Sequence, residues 1–98
     1  MVSQGEIYDY AVNNAHFRVL VVSSDAHNMI RTPWVAPIRH GRTDIPPYLV
    51  ALVDADPVGG AVDLDRLRRG LPNGDPVGLV TGATMSRVRA AVATVFAS

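Results

Sequence analysis

Residues 7–23 read IYDYAVNNAHFRVLVVS, and the fold turns on how this stretch is paired. Ile7 to Val12 places Tyr8 and Tyr10 on one face of a strand, because successive side chains of extended backbone point to opposite sides. Asn13-Asn14 is turn chemistry, since asparagine tolerates the backbone angles of tight turns. Phe17 to Ser23 is a largely β-branched run long enough to be a buried strand. The spacing predicts a hairpin.

Working outward, Asp25 to Thr32 is polar and rich in turn formers, with room for one short helical turn. Pro33 leads into Trp34-Val35-Ala36-Pro37-Ile38 as a third strand, and Pro37 predicts that this strand lies at an edge or carries a bulge. After the polar stretch Arg39 to Asp44, Pro46 and Pro47 introduce Tyr48 to Val53, apolar enough for a central strand. Asp54 to Gly60 turns the chain. Ala61 to Leu67 alternates Val62, Leu64 and Leu67 with Asp63, Asp65 and Arg66, the pattern of a strand with one wet face, and Val77 to Val80 is a short apolar piece. From Thr81 the period changes: Met85, Val88, Val92, Val95 and Phe96 recur at three to four residues, while Arg87 and Arg89 point elsewhere. This predicts an amphipathic C-terminal helix capped by Thr81. The expected class is mainly β with a C-terminal α-helix, a small, partly open, SH3-like β-barrel.

With 98 residues, a 48% hydrophobic and 18% charged composition, eight glycines and seven prolines, the chain is expected to form one folded domain, residues 1–98. No apolar run reaches the roughly 18–20 residues of a membrane span. Residues 1–6 lack the basic-then-apolar order of a signal peptide, so a soluble cytoplasmic protein is expected. Cysteine is absent, which excludes disulfides and thiolate chemistry, and three scattered histidines argue against a metal site. The formal net charge is zero, which speaks against a long-range basic field. All nine basic residues are arginine, however. Several fall into two groups: Arg31, Arg39 and Arg42 beside His40, and Arg66, Arg68 and Arg69. A local phosphate site is compatible with this, because the guanidinium fork matches phosphate oxygens; a GC-rich coding sequence is the bland explanation.

The order of these pieces resembles the MazF/PemK (Kid) toxins of type II toxin–antitoxin systems. The likeness rests on Gly5-Glu6-Ile7-Tyr8, Phe17-Arg18-Val19-Leu20-Val21-Val22 followed by Asp25 and Asn28, and Val35-Ala36-Pro37-Ile38. It continues through Ile45-Pro46, Val62-Asp63-Leu64-Asp65-Arg66-Leu67-Arg68 and Gly78-Leu79-Val80-Thr81. The resemblance implies a homodimer of the CcdB/MazF-type barrel that cleaves single-stranded RNA at short sequences without a metal or other cofactor. It also implies inhibition of translation and growth, and a cognate antitoxin partner. The family's catalytic arginine falls on Arg18, and its Thr/Ser position on Arg39, which implies that the neighbouring His40 or Thr43 takes over from the replaced hydroxyl, or that RNA cleavage is weak or lost. Val19 replaces a usual proline, and the loop from Ala11 to His16 is shorter than the family's. A second resemblance is to the CcdB gyrase poisons, through Tyr8-Asp9-Tyr10 and Val22-Ser23-Ser24-Asp25, although the chain ends Phe96-Ala97-Ser98 rather than in their Trp-Gly-Ile tail.

Cleavage through an internal 2′-hydroxyl needs a group to take that proton, a proton for the leaving 5′-oxygen and a cation for the phosphoryl oxygens. Arg18, Arg39 and His40 are the catalytic candidates, and Asn28, Arg31, Arg42 and Thr43 the substrate-binding ones. Each has a plainer reading. Arg18 is also a strand arginine within reach of Glu6 or Asp9 across the hairpin, and Arg39 with His40 is also a solvated loop. Arg66 to Arg69 reads as a solvated strand end, His16 and His27 as turn caps, and Trp34 as core or dimer interface. An exposed sheet edge on so small a barrel favours a symmetric dimer, and an acidic antitoxin segment would suit its basic cleft.

Overall fold

A computed structural model describes residues 2–97. The hairpin forms as expected: β1 (Glu6–Val12) and β2 (Ala15–Val21) pair antiparallel from Ile7↔Leu20 to Val12↔Ala15. Asn13 (φ 50°) and Asn14 (φ 67°) both occupy the left-handed region, as a two-residue turn of the type I′ class requires. The short helix α1 (Asp25–Ile30) follows, with the Ser24 hydroxyl accepting from the His27 N–H at 3.1 Å.

The strand β3 (Trp34–Arg39) pairs with β2, Leu20 facing Ala36. Pro37 does not mark an edge. On the far side of β3 lie β5 (Ala61–Asp63), paired from Ile38, and β6 (Arg68–Arg69), paired as far as Val35. Between them the chain makes a single 3-10 turn, Leu64–Arg66. Pro37 therefore has a strand partner only in β2, and the residue that lacks an N–H sits where the other neighbour is interrupted.

Two further expectations are corrected. The run Tyr48 to Val53 supplies β4 (Leu49–Ala51), which is outermost rather than central. The Ala51 N–H is satisfied by the Asp44 carboxylate at 2.8 Å, and Val53 is half exposed, so only Val50 is fully committed to the core. The expected strand from Ala61 to Leu67 stops at Asp63, whose carboxylate accepts the Asp65 N–H at 3.1 Å and turns the chain. The strand β7 (Gly78–Leu79) pairs with β1, completing the order β4-β5-β3-β2-β1-β7 with β6 alongside β3.

The helix α2 (Gly82–Ala97) begins where the period changes. The Thr81 hydroxyl accepts from the Thr84 N–H at 3.2 Å. Asp56 latches this helix start to the loop between β4 and β5, accepting from the Thr81 N–H at 2.8 Å and the Thr84 hydroxyl at 2.7 Å. Burial pushes the Asp56 carboxyl up, but hydrogen bonds from Val53, Thr81 and Thr84 outweigh it and hold the group below its usual value.

The sheet buries both faces. Ile7, Leu20, Ala36, Ile38 and Val62 pack under α2 with Met85, Val88 and Ala91. On the other face Tyr8, Val19, Val21 and Val35 form a second cluster, with Tyr10 and Phe17 partly buried against it. Tyr8 donates to Glu6 Oε1 at 2.9 Å; burial and that acidic partner push its pKa up to about 12. The result is the mainly β half-barrel with a C-terminal helix that the periodicity predicts. Among the described residues no helix is long and apolar enough to cross a membrane.

Candidate functional site

Arg39 closes β3, and its Nε donates to Asp63 Oδ2 at 2.9 Å. Its backbone is fixed as tightly as its side chain. Gly60 (φ 116°) lies so near that a Cβ there would sit 2.7 Å from the Arg39 carbonyl oxygen, a conformation and an approach that only glycine accepts. The chain then turns through His40 and Gly41 to Arg42, and the 3-10 turn brings Arg66 alongside.

Arg39, Arg42 and Arg66 together form a ridge shared by two adjoining recesses. One, of about 380 Å³, extends over Phe17, His40 and Arg68. The other, of about 470 Å³, extends over Tyr48, Leu49 and the carboxylates of Asp63 and Asp65. Only Arg39 among these arginines has an acidic partner within the described residues. The guanidinium of Arg68 stacks on Phe17, 5.5 Å from the ring centre, and that of Arg69 on Trp34 at 5.4 Å. Neighbours on a strand point to opposite faces, so Arg68 joins the trough and Arg69 does not.

The other candidates lie apart from the ridge. Arg18 Nε donates to Asp9 Oδ1 at 3.3 Å across the hairpin, and Phe17, its neighbour on β2, is the residue that lines the trough. Asn28 is tied to Ser23, donating to its carbonyl at 3.1 Å and accepting from its hydroxyl. Arg31 is the exposed residue ending α1. Thr43 is exposed in the loop after Arg42 and lines neither recess. The ring of His27 meets the Thr32 carbonyl at 3.0 Å, while His16 is exposed. Trp34 is partly exposed beneath Arg69. The sequence reading missed Asp65, Tyr48 and Phe17, and placed Arg66 and Arg68 as a solvated strand end. The signal available was the run Asp63-x-Asp65-Arg66-x-Arg68, whose charges read equally well as the wet face of a strand. Among the described residues no group of three or more His, Cys, Asp or Glu is placed to hold a metal ion.

No family model matches the chain, and no curated protein matches it. Solved structures do. An endoribonuclease from a mycobacterial species, in complex with its cognate antitoxin, shares 29% identity over 99% of this chain and 96% of its own, with a TM-score of 0.86. A mycobacterial endoribonuclease shares 29% identity over 98% and 91%, at 0.83. The MazE–MazF complex (form II) of Deinococcus radiodurans shares 18% identity over 97% and 94%, at 0.79, a likeness of fold. The antiparallel half-barrel and its terminal helix are the fold of these solved structures. The chain is similar in fold to MazF along nearly its whole length, and the CcdB-like alternative is not favoured by these matches.

Proposed function

We propose that this protein is a MazF-like toxin, an endoribonuclease that cuts single-stranded RNA and thereby inhibits translation and growth. The observation that carries the proposal is the 29% identity and TM-score of 0.86, over 99% of the chain, to an endoribonuclease bound to its cognate antitoxin. The arginine ridge supplies matching chemistry, an open, locally cationic surface on a chain of zero net charge. The protein acts as one domain in the cytoplasm, as a homodimer, and is neutralised by a cognate antitoxin.

The reaction assigned to the ridge needs no group from outside the chain other than water. The 2′-oxygen attacks phosphorus, the bond to the 5′-oxygen breaks, and a 2′,3′-cyclic phosphate and a 5′-hydroxyl result. His40 takes the 2′-hydroxyl proton, and solvent in the open trough protonates the leaving oxygen. Arg39, held by Asp63, and Arg42 offset charge on the non-bridging oxygens. The arginine at the hydroxyl position of the family thus becomes a positioned cation. Arg18 keeps a part open to it, because its pair with Asp9 is exposed, with side-chain exposures of 39% and 79%, and such a pair gives way to a phosphate at little cost. Asn28, Arg31 and Thr43 take no part in the scheme.

The test is to incubate the purified protein with a long, weakly structured RNA in EDTA and map the ends. Discrete cuts are expected in the wild type and lost in Arg39→Ala and His40→Ala, and Arg18→Ala decides whether that residue reaches the phosphate. RNA left intact under conditions where a MazF control cuts would overturn the proposal.

A further inference from the structure

The two recesses beside the ridge differ in their polar groups. The one over Phe17 and Arg68 is aromatic and cationic. The other holds Asp63 and Asp65, a placement that needs a reason, because carboxylates repel a phosphate chain. Asp63 is spent within the fold, one oxygen on Arg39 and the other on the Asp65 N–H. Asp65 is not: among the described residues neither of its carboxylate oxygens has a hydrogen-bond or ion-pair partner. It lines this recess together with Arg66 and with Tyr48, which is about half exposed.

We propose that the recess formed by Asp65, Arg66, Arg42 and Tyr48 is a guanine-selecting subsite for the single-stranded RNA of the preceding section, on whose reading it rests. Guanine offers N1–H and the N2 amino group side by side, two donors that match both oxygens of one carboxylate, and its O6 and N7 accept from an arginine fork. Adenine and cytosine set a ring-nitrogen lone pair beside their amino group, and uracil sets carbonyls on both sides of its single N–H. Each of these places an acceptor against Asp65. A volume of about 470 Å³ admits a base, and Tyr48 supplies a ring on which it stacks. Because Arg39, Arg42 and Arg66 belong to both recesses, a phosphate on the ridge would have this base on one side and the recess over Phe17 and Arg68 on the other.

The experiment measures binding apart from cleavage. Labelled pentanucleotides with 2′-deoxy sugars, which cannot be cut through a 2′-hydroxyl, carry G, A, C or U in turn at one position. The wild type is expected to bind the guanine-bearing oligonucleotide about tenfold more tightly than the others. Asp65→Asn and Asp65→Ala should reduce that preference to about twofold or less, the other three oligonucleotides gaining affinity as the repelling carboxylate is removed. Equal binding of all four by the wild type, or a preference that survives Asp65→Ala, overturns the subsite. End-mapping of a cleaved long RNA forms the second arm. A guanine at a fixed place beside the cuts in the wild type, lost in Asp65→Asn, supports the subsite; cuts without it overturn the subsite alone. Intact RNA with the guanine preference present overturns the ribonuclease reading alone.

Discussion

Arg39 and Asp56 show how single side chains acquire their roles from what they face. Arg39 is restrained by Asp63 and by the close approach of Gly60, so its charge is oriented before any substrate arrives. Arg39→Ala should therefore lower RNA cleavage by about a hundredfold or more while the protein still melts cooperatively. Asp56 is a buried carboxylate satisfied by donors from Val53, Thr81 and Thr84. Asp56→Ala should cost about 2–4 kcal/mol in urea unfolding, since it leaves buried donors unpaired. The pH dependence follows the direction of its shift. With its folded pKa below the ordinary 3.8, Asp56 contributes stability that is present above pH 3.8 and lost as pH falls through the lowered value. Acid titration of wild type against Asp56→Asn should show a shallower loss in the variant. Tyr8 behaves in the opposite sense. Raised from 10.0 to about 12, it contributes stability that is lost as pH rises through that window, and Tyr8→Phe should flatten the alkaline limb.

At the level of elements, the hairpin and the terminal helix were legible because their signals are local. Asn13-Asn14 names its own turn, and Asn14→Gly should raise the unfolding midpoint while Asn14→Val should lower stability by about 1–2 kcal/mol, since a β-branched residue resists the left-handed region. Met85 is buried against the sheet, and Met85→Ala should cost about 2–5 kcal/mol. The third strand, β4 and the strand after Gly60 were less legible, for one physical reason. Whether a strand is central or outermost depends on which chain segment meets its free N–H groups. For Ala51 that partner is the Asp44 carboxylate; for Pro37 the absence of a donor coincides with the 3-10 interruption between β5 and β6. Hydropathy along a run carries no such information.

Across the whole molecule, zero net charge conceals a sharply uneven surface. Arg39, Arg42 and Arg66 meet on one ridge from two distant segments, with Arg68 beside them in one recess. Binding of single-stranded RNA should consequently weaken with salt despite the neutral total, and Arg42→Ala should reduce the slope of log affinity against log salt by about 0.7, one phosphate contact. The sequence by itself determined the hairpin, the amphipathic helix, the mainly β class and the MazF-like order of motifs, because turn chemistry and periodicity act over a few residues. Only the tertiary structure decided which charges work together. It tied Arg18 to Asp9 and Asn28 to Ser23, and it carried Arg66 and Asp65 round a 3-10 turn to stand beside Arg39. Pairing across a sheet joins residues by register rather than by distance along the chain, and a charge run carries no record of which neighbour will neutralise it.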